Sequence, residues 1–233
     1  MPKHKLYGQI VQAAAAPVTS FADTFIRADS PTLGPDWIRT SCNIPAGGGN
    51  GGTAWAEVSS NQCLLQTLTG AGFTQRYDIA WIPLQVYYNV QNLAGYFVQC
   101  TFQTATTSGW GLMNRYNHNM QNGVTQNEGA DFYSMVFNGR IDKVVGGGAS
   151  ATIGAATWAQ VAGDVLRFEV LTVGATQVLQ SVRNGVVLQN IVDATAFRIT
   201  NGGPAISVLS IATAPSTSRL SAFSCGPITA LTP

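Results

Sequence analysis

From Phe21 onward, short runs rich in Val, Ile, Phe, Tyr, Trp and Thr recur between clusters of Gly, Asn and Pro, and helix signals are nearly absent. Runs of this kind can bury one face as strands but cannot close the longer apolar period of a helix, so the pattern predicts an antiparallel sandwich or barrel. The runs are Ala54–Ser59, Cys63–Leu68, Tyr77–Ile82, Gly95–Gln103, Trp110–Tyr116, Tyr133–Phe137, Val165–Leu171, Val178–Arg183, Val186–Gln189 and Ile206–Ile211. In Leu166-Arg167-Phe168-Glu169-Val170 the charges fall on one face and the apolar residues on the other. Asn138-Gly139 and Asn184-Gly185 each sit between two runs, and Asn-Gly tolerates the positive φ of a type I′ hairpin. No internal repeat suggests a solenoid or propeller. The expected organisation is an arm over residues 1–20 and one antiparallel two-sheet sandwich over 21–233.

Composition narrows the partners. Charged residues make up only 10% of the 233 and the net charge is +1, so much of the surface must be neutral and self-repulsion between copies is weak. That suits a protein living in a larger assembly. With three lysines in all and no Lys/Arg run, nucleic-acid binding through many phosphate contacts is not expected. No apolar run approaches the roughly 18 residues of a membrane span. Lys3, Lys5 and the Ala tract near Pro17 have the outline of a signal peptide, but Gln9 and Gln12 interrupt its apolar centre. Cys42, Cys63, Cys100 and Cys225 show neither CxxC nor zinc spacing and read as buried free thiols. Gly47–Gly52 and Gly146–Gly148 lack the GK[S/T] ending of a phosphate loop and read as plain loops.

The segment Phe21-Ala22-Asp23-Thr24-Phe25-Ile26-Arg27-Ala28-Asp29, followed by Leu33-Gly34-Pro35-Asp36-Trp37, resembles the opening of concanavalin A-like (laminin G-like) modules of tailed-phage virion proteins. Tyr133–Gly139, the Asp164–Val170 run, the turn at Asn184-Gly185 and Asn201–Ile206 are similar to later parts of the same modules. The closing Arg219-Leu220-Ser221-Ala222-Phe223 matches loosely, with Arg219 and Ser221 in place of the usual acid. The resemblance implies a jelly-roll sandwich. It also implies a non-enzymatic virion structural protein, made in the host cytoplasm and displayed on the virion surface as a minor tail module or a capsid decoration protein. An assembly arm carrying Lys3, Lys5 and Tyr7 would contact other virion proteins, and a homo-oligomer, trimeric by analogy, is implied as well.

Other readings of the same fold turn on chemistry. A glycanase needs two carboxylates a short distance apart, and no two of the eleven acids are separated by two positions, so the glycanase ExDxE motif is absent. A polysaccharide lyase would draw on Arg115, Tyr116 and His118, although His118 stands in a polar, Gly-ended stretch that reads as a loop. A carbohydrate-binding adhesin for a host-surface glycan would use an exposed aromatic such as Trp110, Tyr116 or Trp158, with Arg115 and His118 as polar neighbours. Two histidines leave almost no material for a His-based metal site or a Ser-His-Asp triad. No cofactor is expected; calcium on Asp, Asn and backbone oxygens is the ion such modules sometimes use.

Overall fold

A computed structural model describes residues 16–40, 54–67, 76–104, 110–117, 131–136, 138–146, 150–155, 158–159, 161–210 and 216–233. They form two antiparallel sheets and one helical turn, α1 (Leu84–Tyr87). The eight-stranded sheet runs in spatial order β13 (Val186–Asp193), β12 (Thr176–Arg183), β11 (Val165–Val173), β6 (Gly95–Thr104), β15 (Ser216–Pro227), β4 (Gln62–Thr67) and β3 (Ala54–Ser59), with β1 (Phe21–Asp23) also on β15. The seven-stranded sheet runs β10 (Ala151–Gly154), β9 (Ile141–Val144), β8 (Asp131–Val136), β7 (Trp110–Asn117), β14 (Gly203–Ser210), β5 (Arg76–Pro83) and β2 (Trp37–Thr40). The fold is the expected jelly-roll sandwich. No helix among the described residues is long and apolar enough to cross a membrane.

Ten of the strands coincide with the runs read from the sequence, mostly within two residues at either end. Turn chemistry explains the boundaries. Asn184 and Gly185 both take positive φ (51° and 80°) and join β12 to β13, as a type I′ turn requires. At Asn138-Gly139 only Gly139 is left-handed, at 81°, so the β8–β9 connection is not the I′ turn expected there. A turn that the sequence reading passed over joins β3 to β4, where Ser60 and Asn61 take φ of 54° and 59°. Ser is an uncommon left-handed residue, which hid the hairpin.

Between the sheets lies one large apolar core, built from Val98, Cys100 and Phe102 on β6, Phe168 and Val170 on β11, Trp110 and Leu112 on β7, and Ile206 and Val208 on β14. Cys63, Cys100 and Cys225 are buried free thiols, as expected; Cys42 lies outside the described residues. A side chain also ties the layers together: Asn114 Nδ2 on β7 donates to the Tyr96 carbonyl of β6 (2.8 Å).

The opening motif is a knot centred on one carboxylate. Asp23 accepts both Arg27 guanidinium nitrogens (2.8 Å each), the Phe25 backbone N–H (2.7 Å) and Trp37 Nε1 (2.8 Å). Even strand spacing does not bring Arg27 to Asp23; β1 ends at Asp23, and Phe25 turns the chain at a φ of 57°. Trp37 is thereby held against Phe25, Phe21 and Phe223, with ring centroids 6.1, 5.4 and 5.0 Å away. Of the expected arm, residues 16–20 lie along the sandwich, where Asn89 Nδ2 donates to the Val18 carbonyl and the Tyr96 hydroxyl to that of Thr19. Lys3, Lys5 and Tyr7 lie outside the described residues.

Asp23→Ala strands two buried N–H donors and a cation. Urea unfolding is expected to show a loss of about 2 to 3 kcal/mol. An unchanged midpoint would mean that the knot does not hold Trp37 in place.

Candidate functional site

Alternation along β8 sorts its side chains between two environments. Tyr133 and Met135 point into the inter-sheet core, whereas Phe132 and Val136 belong to a second buried cluster with Ile82, Met113, Tyr116, Val144 and Ala205. That cluster occupies the other face of the seven-stranded sheet, so its centre, from β9 through β8 and β7 to β14, is buried on both sides, while the β10 edge is exposed. An antiparallel sheet with one wetted face would show polar residues at these positions.

Within the outer face one carboxylate stands out. Asp142 on β9 is opposite Ser134 on β8, which is opposite Met113 on β7. Asp142 Oδ2 accepts Arg140 Nε (3.1 Å) and Nη2 (2.7 Å), and Oδ1 accepts the Thr152 hydroxyl (2.9 Å). These donors fix the direction of a carboxylate that is 1% exposed. Ser134 Oγ is buried without a hydrogen-bond partner, next to Gly111, where an added Cβ would come within 2.8 Å of it.

A second polar cluster lies inside the sandwich. Tyr133 donates its hydroxyl proton to Asp193 Oδ2 (2.6 Å) and accepts the Ile199 N–H (3.0 Å). Lys143 Nζ bonds the same Asp193 oxygen (2.6 Å) and the Thr195 hydroxyl (2.7 Å), and lies 5.8 Å from the Tyr133 ring centre. Burial would raise the Asp193 pKa, but the hydrogen bonds from Lys143, Tyr133 and Thr195 outweigh it and hold the carboxyl at about 2. Burial, followed by the bond to Asp193, pushes the Tyr133 phenol well above its ordinary range. Tyr133 and Asp193 are 60 residues apart, so only the fold joins them; the one local signal was a charged Asp142-Lys143 pair within a short apolar strand.

The residues singled out for sugar contact do not share an exposed surface. Trp110 is in the inter-sheet core, stacked on Phe102 at 5.7 Å. Tyr116 is buried in the outer cluster, tilted on Phe132. Arg115 is wholly buried and donates from Nη2 to the Ala94 carbonyl (2.8 Å). Strand aromatics adjoining Gly-rich sequence are thus core here, because every position of β7 through Tyr116 is buried. Trp158 is half-buried and lies against Gly139, where a Cβ would clash with its ring. His118 falls outside the described residues. Among the described residues no cluster of three or more His, Cys, Asp or Glu could hold a metal ion.

No family model matches the chain, and no curated protein sequence matches it. Solved structures do share the fold. An endo-1,3-β-glucanase from Streptomyces sioyaensis superposes with a TM-score of 0.52 at 14% identity, over 93% of this chain and 100% of that one. Bacillus licheniformis β-glucanase gives 0.52 at 10% identity over 91% and 100%. An immunostimulatory antigen and pseudo β-1,3-glucanase of Mycobacterium tuberculosis gives 0.52 at 11% identity over 89% and 98%. The architecture is therefore that of the concanavalin A-like sandwich. These matches overturn the expectation of a non-enzymatic virion structural protein: the scaffold that suggested it coincides over nearly its whole length with β-glucanases.

Because Asp193 titrates below its ordinary value of 3.8 in the folded protein, its network stabilises the fold fully above that value. The contribution, about 2 kcal/mol, is lost as pH falls from about 4 toward 2. Acid unfolding of Lys143→Met is expected to lose much of this dependence; an identical acid midpoint would show that Asp193 does not set it.

Proposed function

We propose that this chain is a carbohydrate-active protein of the glycoside hydrolase type, acting on a polysaccharide of β-linked glucose units. The observation that supports it is the near-complete overlap of the sandwich with β-glucanases: the chain spans the full length of two of them, with no large piece of their architecture missing. Fold alone is a weak guide to chemistry, so the reading is tied to a residue. Asp142 is the carboxylate assigned to the reaction, held in a fixed direction by Arg140 and Thr152 at the β10 edge of the seven-stranded sheet, where Thr152 is exposed and a polymer would approach. With both oxygens accepting donors, it suits stabilisation of the positive charge that develops on the sugar ring, or attack at that carbon, rather than proton donation.

The test is incubation of the purified protein with β-1,3-glucan and mixed-linkage β-glucan, following reducing-end release and polymer length. Cleavage is expected, falling at least about a hundredfold in Asp142→Asn, with thermal unfolding confirming that the variant is folded. Polymers of unchanged length would overturn the hydrolase reading, and cleavage retained in a folded Asp142→Asn would remove Asp142 from it.

A further inference from the structure

Strand β7 carries one residue too many at Arg115. Its pairing with β8 passes from Asn114–Tyr133 directly to Asn117–Asp131, and its pairing with β14 from Met113–Ala205 to Tyr116–Gly203. Arg115 takes the left-handed φ of 57°, a strained conformation for a non-glycine residue. The surroundings enforce it. Asn114 Oδ1 accepts the Arg115 N–H (2.9 Å), and Gly202 packs against the Arg115 carbonyl so closely that a Cβ there would collide with it. Bulges of this kind re-aim a side chain, and this one sends the guanidinium into the sandwich, to the Ala94 carbonyl at the start of β6.

Among the described residues no carboxylate hydrogen-bonds or ion-pairs with Arg115. Of the guanidinium's nitrogens only Nη2 has a partner; Nε and Nη1 are buried and make no hydrogen bond. The ionisable group that acts on Arg115 is Tyr133, which stays protonated and leads on to Asp193 and Lys143. Among the described residues the buried carboxylates Asp142, Asp164, Glu169 and Asp193 are each already paired with another cation, Arg140, Arg183, Arg167 and Lys143 respectively. Burial lowers the Arg115 pKa to about 10, which leaves it charged at neutral pH. A buried cation without a counter-charge costs several kcal/mol, and a water molecule would satisfy the N–H groups without cancelling the charge.

We infer that Arg115 binds a small monovalent inorganic anion of the chloride class inside the sandwich, through Nε and Nη1. Because Arg115 has no exposed surface, the ligand is limited to ion size and a polymer cannot reach it. Anion binding also explains why the chain spends backbone strain on turning an arginine inward.

Thermal unfolding at constant ionic strength, with sodium gluconate replaced stepwise by sodium chloride or bromide, reads the site directly. The unmodified protein is expected to gain about 3 °C or more on reaching roughly 100 mM halide. Arg115→Met, which removes the charge at similar volume, is expected to be indifferent to the exchange. Should that variant fail to fold, bromide-soaked crystals of the unmodified protein decide, with an anomalous peak expected at hydrogen-bond distance from Nε and Nη1. Halide-independent unfolding of the unmodified protein, or no bromide peak beside Arg115, would overturn the inference in favour of a guanidinium hydrated by internal water.

Discussion

Burial of the centre of the seven-stranded sheet on both faces constrains everything else in this molecule. A sandwich needs only its inward residues to be apolar, yet here Phe132, Val136, Met113 and Val144 fill the far side as well. Most buried polar residues on this sheet therefore find partners within the fold, in three sets: Asp142 with Arg140 and Thr152, Asp193 with Tyr133, Lys143 and Thr195, and Asn114 with the carbonyl of Tyr96; Ser134 and part of the Arg115 guanidinium do not. Each set links strands that apolar contact alone would leave free to slide, because packing is non-directional and hydrogen bonds are not.

The two best-connected carboxylates do different work. Asp23 sits where the chain enters the fold and converts a three-residue strand into a fixed platform for Trp37. Asp193 ends β13 in one sheet and meets Lys143 of β9 in the other, so it closes the space between the layers. Removing either leaves donors buried and unpaired, which costs more than the bonds themselves contribute.

The strands were legible because turn residues bound them and because β11 alternates cleanly between Arg167, Glu169 and their apolar neighbours. The Asp23–Arg27 pair was not legible: even spacing along a strand puts the two side chains on one face, whereas their contact depends on the left-handed turn at Phe25. The buried fate of Trp110, Arg115 and Tyr116 was hidden for a related reason. Burial on the second face of a sheet depends on what packs over it, and no local pattern records that. Arg115 misled most, since an arginine beside a tyrosine and a polar loop has the composition of a surface site, and only the bulge in β7 turns it inward.

Shared architecture and divergent side chains are compatible because a sheet's hydrogen bonds are made by backbone, which leaves the outward positions of each strand free to change. On β8 those positions carry Phe132, Ser134 and Val136, none of them ionisable, and the carboxylate in register with Ser134 is Asp142, one strand over on β9. Asp142 itself lies one strand from the β10 edge of the sheet. There Arg140 and Thr152 already hold the carboxylate in place, and fixed orientation is what such a group needs if its charge is to act on a reacting sugar without first reorganising.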